Sequence, residues 1–263
     1  MPDFTIKKYK EFLNQLREKE YNFQTFSEYL KSPSKKVVIL RHDVDARKEN
    51  SLRFARIQYE LGITGSYYFR LVPQSYDERV IDEVASMGHE IGYHYETMDS
   101  AYAKVKMQKS TGKGQREELI DRAYEEFCIN LEKFRKIVPI STICMHGSPR
   151  SKYDNKDIWK KYDYHKLRII GEPYFDIDFN EVAYLTDTGR RWNGSNVSVR
   201  DKVESRYRFN FRSTDDIING IDVLPDKVMF TFHPQRWTDN AFDWIKELVM
   251  QNIKNEVKKV LLR

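Results

Sequence analysis

The run "VVILRHDVD" at positions 37–45 sets four apolar residues against an arginine, a histidine and two aspartates. On an extended chain, residues two apart point the same way. The carboxylates of Asp43 and Asp45 therefore share a face with Arg41, while His42 faces the opposite side in a structural position. Two carboxylates this close raise one another's pKa unless a positive charge intervenes. Arg41 can supply that charge, and so can a divalent cation held by Asp45 and an imidazole. Imidazoles are placed to reach it. Of six histidines, His94, His146 and His233 each close an apolar run: "HEIGYH", "STICMH" and "KVMFTFH". His89 and His94 lie on opposite faces of their strand and cannot easily hold one metal together, whereas His94 and Glu96 can. Carboxylates and imidazoles ending several strands in this way point to one shared site.

Such a site needs a scaffold that brings distant strand ends together. The sequence predicts strands at 37–40, 66–71, 89–94, 141–146 and 227–233, and helices at 46–62, 77–88, 115–137 and 239–261. Gly62 and Gly88 stop two of the helices. Strand–helix alternation predicts parallel βαβ units, hence an α/β fold that is barrel-like. In such barrels reactive groups collect where the C-terminal strand ends meet. Apolar spacing over residues 4–20 predicts a further helix, so residues 1–36 are expected to form a helical extension before a barrel domain at 37–263.

Composition narrows the classes of function. The chain has 263 residues and a formal net charge of +5, with Lys and Arg interleaved among Asp and Glu. That pattern describes a solvated surface and gives no reason to expect nucleic acid as a partner. No apolar run approaches the roughly 20 residues of a membrane span. The first residues lack the apolar core of a secretory signal, so a cytoplasmic location is expected. Cys128 and Cys144 sit in apolar surroundings and are expected to be reduced thiols. A two-carboxylate glycosidase fits less well, because Asp43 and Asp45 are adjacent on one strand rather than flanking a bond.

With these residues in view, the chain resembles the NodB-type polysaccharide deacetylases, carbohydrate esterases with a distorted (β/α) barrel. The resemblance runs from about residue 37 to 237. "RHDVD" matches the family's first motif, which implies Asp43 as catalytic base and Asp45 as metal ligand. "LGITGSYYF" is similar to the family's next strand, and "GHEIGYHYETM" to its metal-binding segment, which implies His94 as a ligand. "MFTFHPQRW" stands where the family places its general-acid histidine, here His233.

Two motifs depart from the family pattern. The second metal histidine falls on Met98, and the Arg-Pro-rich third motif is replaced by "MHGSPRS". His146, arriving on its own strand, is the expected replacement ligand, with Glu96 or water as alternatives. "TDTGRRW" stands in for the family's groove motif. Asp187 and Trp192 are therefore expected to contact substrate, together with Arg70 at the end of "SYYFR", while Arg41 orients Asp43. The resemblance implies a divalent ion, Zn²⁺ first, and a carbohydrate substrate bearing N-acetyl groups. The expected reaction is removal of N-acetyl from an amino sugar or sugar precursor. The alternative is a relative that binds carbohydrate without catalysis, having lost the metal site.

Overall fold

Strand β2, Val37–Val44, lies at the centre of the molecule and is buried along its whole length. A computed structural model describes residues 2–107, 115–147, 152–193 and 203–261; the second half of "MHGSPRS" lies outside them. Around β2 stand β1 (Asn22–Gln24), β3 (Ser66–Phe69), β4 (Glu90–Tyr95), β5 (Ile143–Met145), β6 (Ala183–Thr186) and β7 (Lys227–Phe232). The order is β5-β4-β3-β2-β7-β6, with β1 paired beside the first half of β2. Every pairing is parallel. Parallel strands need crossovers, and helices supply most of them: α3 (Lys48–Glu60), α4 (Glu78–Ser86), and the pair α5 (Thr97–Met107) and α6 (Gln115–Arg135). This is the α/β architecture expected from the sequence, a parallel sheet curled into a partial (β/α) barrel.

Alternation along β2 divides the core in two. Val38, Leu40 and Val44 pack outward with Phe54, Tyr67, Phe230 and the helices. Ile39 packs inward with Tyr68, Cys144 and Met229, contributed by β3, β5 and β7. Arg41 and Asp43 continue that inward face toward the strand ends. The inward face is crowded at β4. A Cβ on Gly92 would lie 2.3 Å from the Tyr68 ring and 3.1 Å from the Thr142 carbonyl. Gly92→Ala is therefore expected to lower stability by about 1–3 kcal/mol, the usual cost of overpacking, as measured by urea unfolding.

The first 36 residues do more than add a helix. Helix α1 (Ile6–Glu18), capped by the Thr5 hydroxyl, buries Tyr9, Phe12, Leu13 and Leu16. β1 then adds a strand to the sheet, and the short helix α2 (Phe26–Lys31) places Phe26 in the inward core. The expected helical extension is thus a helix–strand–helix built into the sheet. The remaining helices are α7 (Pro173–Asp176), α8 (Thr214–Asn219) and α9 (Ala241–Leu261). No helix among the described residues is long and apolar enough to cross a membrane.

His42 faces outward from the sheet, as the alternation requires. Its ring stacks 4.1 Å from Tyr67, its Nδ1 lies 3.1 Å from the Ser66 carbonyl, and its Nε2 lies 3.0 Å from Tyr9 Oη. The carbonyl can only accept, so Nδ1 carries the hydrogen and Nε2 accepts from Tyr9. Burial drives the pKa of this ring down to about 3. A histidine with a lowered folded-state pKa keeps its contribution above the unfolded value near 6.5 and loses it as pH falls. Stability is expected to drop by a few kcal/mol between about pH 6.5 and 3 through this group alone. In His42→Phe the slope of urea midpoint against pH should flatten over that window, although the variant is less stable at pH 7.

Candidate active site and metal centre

The inward side chains of β2 emerge at the strand's end as a tied pair. Arg41 donates from Nε to Asp43 Oδ1 at 2.8 Å and from Nη2 to Asp43 Oδ2 at 2.6 Å. Nη2 also donates to Tyr174 Oη at 3.1 Å, and the guanidinium lies 5.0 Å from the Tyr174 ring centroid. Arg41 is 1% exposed and Asp43 4%. Burial alone would raise the Asp43 pKa, but the charge of Arg41, helped by His94, outweighs it and holds the carboxyl at about 2. Asp43 is therefore an ionised carboxylate at any physiological pH.

Asp45 follows directly, its backbone N–H bonded to the Asp43 carbonyl at 3.1 Å. Its Oδ1 is buried and accepts no hydrogen bond. That oxygen stands 3.6 Å from His94 Nε2 and 3.6 Å from His146 Nε2. Its other oxygen accepts from Gln235 Nε2 at 3.1 Å and stands 3.9 Å from His233 Nε2. His94 comes from β4, and its Nδ1 lies 2.9 Å from the Cys144 carbonyl, so that nitrogen carries the hydrogen and Nε2 is the atom turned toward Asp45. His146 follows β5, with Nδ1 3.1 Å from Glu96 Oε2 and Nε2 toward Asp45.

These three residues suit a small divalent ion. A tetrahedral Zn²⁺ with bonds of about 2.0–2.1 Å sets its ligand atoms about 3.4 Å apart. The observed 3.6 Å spacings are close to that edge, and Asp45 Oδ1 is a buried acceptor with nothing to accept from. Burial would raise the Asp45 pKa, yet the surrounding imidazoles hold it well below the usual carboxylate range. The donor atoms that all lie within 4.8 Å of one another are those of Asp43, His94 and Cys144 and those of Glu96, Asp99 and His146; Asp45 Oδ1 stands between His94 of the first set and His146 of the second. Both oxygens of Asp43 are occupied by Arg41, which makes Asp45 the freer carboxylate.

On the opposite side, His233 ends β7 and is held from behind. Its Nδ1 lies 2.5 Å from Asp187 Oδ1, and its backbone N–H donates to Asp187 Oδ2 at 3.0 Å. Trp237 Nε1 donates to Oδ2 at 2.7 Å and Arg236 Nη1 to Oδ1 at 3.0 Å. Burial would raise the Asp187 pKa, but His233 and Arg236 keep it low. Asp187 is thus an ionised, buried carboxylate that fixes the imidazole and leaves Nε2 facing Asp45.

The structure gathers Arg41, Asp43, Asp45, His94, His146 and His233 at one end of the sheet, and places the residues expected to touch substrate differently. Asp187 is fully buried behind His233 rather than lining a groove. Arg70 reaches the site, but its guanidinium is committed to Glu96 and to the Asp45 carbonyl. Trp192 is not at the site. It is 5% exposed, donates to Thr214 Oγ1 at 3.0 Å and packs among Phe12, Phe230, Phe232 and Trp237. Met98 is fully buried in the outward core, so no donor stands there.

Sequence reasoning missed three residues. Gln235 holds Asp45, Tyr174 holds Arg41, and Glu172 accepts from the backbone N–H groups of Met145 at 3.0 Å and Tyr174 at 2.6 Å. Burial pushes the Glu172 carboxyl up to about 7. Gln235, two residues past His233, could have been found from its place in "HPQRW"; nothing in "GEPYF" marked the other two.

No protein-family model and no curated protein matches the chain. Among solved structures it is similar to a CE4 family pseudoenzyme from Bacillus anthracis, at 12% identity and TM-score 0.41, over 86% of this chain and 62% of that one. A mutant described as a CE4 family pseudoenzyme with restored enzymatic activity aligns at 13% identity and TM-score 0.42, over 84% and 65%. PdaA of Bacillus subtilis, a family 4 carbohydrate esterase, aligns at 14% identity and TM-score 0.38, over 92% and 83%. The chain spans less than two thirds of the length of the first two. Likeness at this level assigns no residue a role.

Proposed function

We propose that the chain is a divalent-metal-dependent hydrolase that removes N-acetyl groups from an amino sugar or sugar precursor, with Zn²⁺ as the favoured ion. The observation that carries this reading is the unpartnered Asp45 Oδ1 between two imidazole Nε2 atoms, flanked by the Arg41–Asp43 pair and by His233. Asp45, His94 and His146 would hold the ion. Bound there, it would polarise the acetamide carbonyl and acidify the attacking water, which a carboxylate as weakly basic as Asp43 requires. Asp43, locked by Arg41, takes the proton from that water. His233, oriented by Asp187, delivers a proton to the departing amine nitrogen, without which an amide expels its amine poorly. The resemblance of "RHDVD" and "GHEIGYH" to polysaccharide deacetylases supports the same reaction and the carbohydrate substrate.

Acetate release from a panel of N-acetylated amino sugars and their activated precursors tests the reading. Zinc-loaded protein is expected to release acetate from at least one, with a free amine appearing in equal amount. Sugar binding with no acetate release from any would favour the binding-only alternative.

A further inference from the structure

We propose that Glu96 and Arg70 form a positioning pair for His146, so that the metal centre is completed by a carboxylate–imidazole unit joining two strands. The proposal rests on the reading of Asp45, His94 and His146 as ligands. Four residues past His94, where the metal-binding segment would carry its second histidine, Met98 is turned into the outward core and its backbone N–H donates to Asn155 Oδ1 at 3.0 Å. The third donor therefore has to come from elsewhere, and only the ring of His146 needs to be aimed. Its backbone is already fixed. The His146 N–H donates to the Tyr95 carbonyl at 2.8 Å, and its carbonyl accepts from Asn155 Nδ2 at 2.8 Å.

The ring is half-buried, and on its far side Nδ1 lies 3.1 Å from Glu96 Oε2, close enough to pair although no hydrogen bond is aligned between them. A small turn of the ring, with Nδ1–H brought onto this carboxylate, would leave Nε2 unprotonated and strengthen the imidazole as a donor, as outer carboxylates do for metal-bound histidines. Glu96 is in turn held in a fork. Arg70 donates from Nε to Oε1 at 3.2 Å and from Nη2 to Oε2 at 2.6 Å. Its remaining Nη1 donates to the Asp45 carbonyl at 3.2 Å. The contacts close a ring, Asp45 to Arg70 to Glu96 to His146 and back to Asp45, that ties the ends of β2, β3, β4 and β5 together. Glu96, Asp99 and His146 also lie within ligand distance of one another. Both Glu96 oxygens are engaged by Arg70, however, which suits an aiming group better than a ligand.

Zinc affinity of the metal-free protein, measured by competition with a chromogenic chelator, separates the roles. Glu96→Gln and Arg70→Met are each expected to weaken Zn²⁺ by about 10–100-fold. The double variant should be little weaker than the worse single one, because the two act as one unit. Asp45→Ala should abolish binding. Metal-free melting curves identify any variant that fails to fold, and the visible spectrum of the Co²⁺ form should shift in Glu96→Gln while keeping its stoichiometry. Wild-type affinity in Glu96→Gln would overturn the proposal, and loss as complete as in Asp45→Ala would make Glu96 a ligand instead. A folded wild-type chain that binds no zinc would overturn the metal reading itself, an outcome distinct from both.

Discussion

Asp43→Asn is expected to lower acetate release by about 10²–10⁴-fold, the usual worth of a positioned general base, while zinc binding is kept. The separation follows from the division of labour between the two aspartates. Both oxygens of Asp43 are bound by Arg41, and the carboxyl is held at about 2, so the side chain enters the reaction already ionised. An asparagine of the same shape has no site to receive the proton. It also sets an amide NH₂ against one arm of the guanidinium, so some stability is lost as well. Metal should stay because Asp45 is the carboxylate with the unpartnered oxygen. Metal content and initial rate on the same preparation check both halves. A variant that keeps its rate, or loses metal and rate together, contradicts Asp43 as the base.

Arg41→Met has the larger expected effect on the fold. Removing one partner of a buried ion pair typically costs about 3–5 kcal/mol, because the other charge is left in a dry site. Arg41 and Asp43 are both buried, and with Arg41 removed the nearest nitrogen left to Asp43 is His94 Nε2, 3.8 Å from its Oδ2. The sign with pH distinguishes this cause from lost packing. In the wild type the Asp43 pKa is depressed, so its contribution is present above about pH 4 and is lost as pH falls toward 2. Without Arg41, burial pushes the carboxyl upward instead, and ionising it becomes a cost that grows with pH. The deficit of Arg41→Met in urea should therefore be larger at pH 7 than at pH 4. Equal deficits at both would mean that the arginine acts through packing alone.

The sequence displayed the strand ends more clearly than what lies behind them. β2 was legible because a parallel strand buried on both faces reads as an apolar run, and period-two alternation told Asp43 from His42. His42 is indeed enclosed by Tyr67, Tyr9 and the Ser66 carbonyl. β1 was not legible: three residues, NFQ, carry too short a pattern to betray a strand that forms only by pairing with β2. Trp192 misled because "TDTGRRW" stands in for a groove motif only by resemblance, and its tryptophan turns into the core instead. Gly189 and Arg190 have φ of 78° and 56°, and this left-handed turn precedes the indole's entry into the core. Arg70 was expected to contact substrate, and its commitment to Glu96 was not legible because that partner lies 26 residues away. In α9 the apolar spacing marked a helix but hid its orientation: Gln251 and Asn255 are buried while Phe242, Ile245, Val249 and Ile253 are exposed.

Metal content tests the central claim most directly. Protein purified without chelator or nickel resin, supplied with zinc and measured by elemental mass spectrometry, is expected to hold about one ion per chain. His94→Ala and His146→Ala should each lose it while remaining folded. Loss in His94→Ala alone would remove His146 from the site, and a folded wild-type chain that holds no ion after zinc is added would contradict the account.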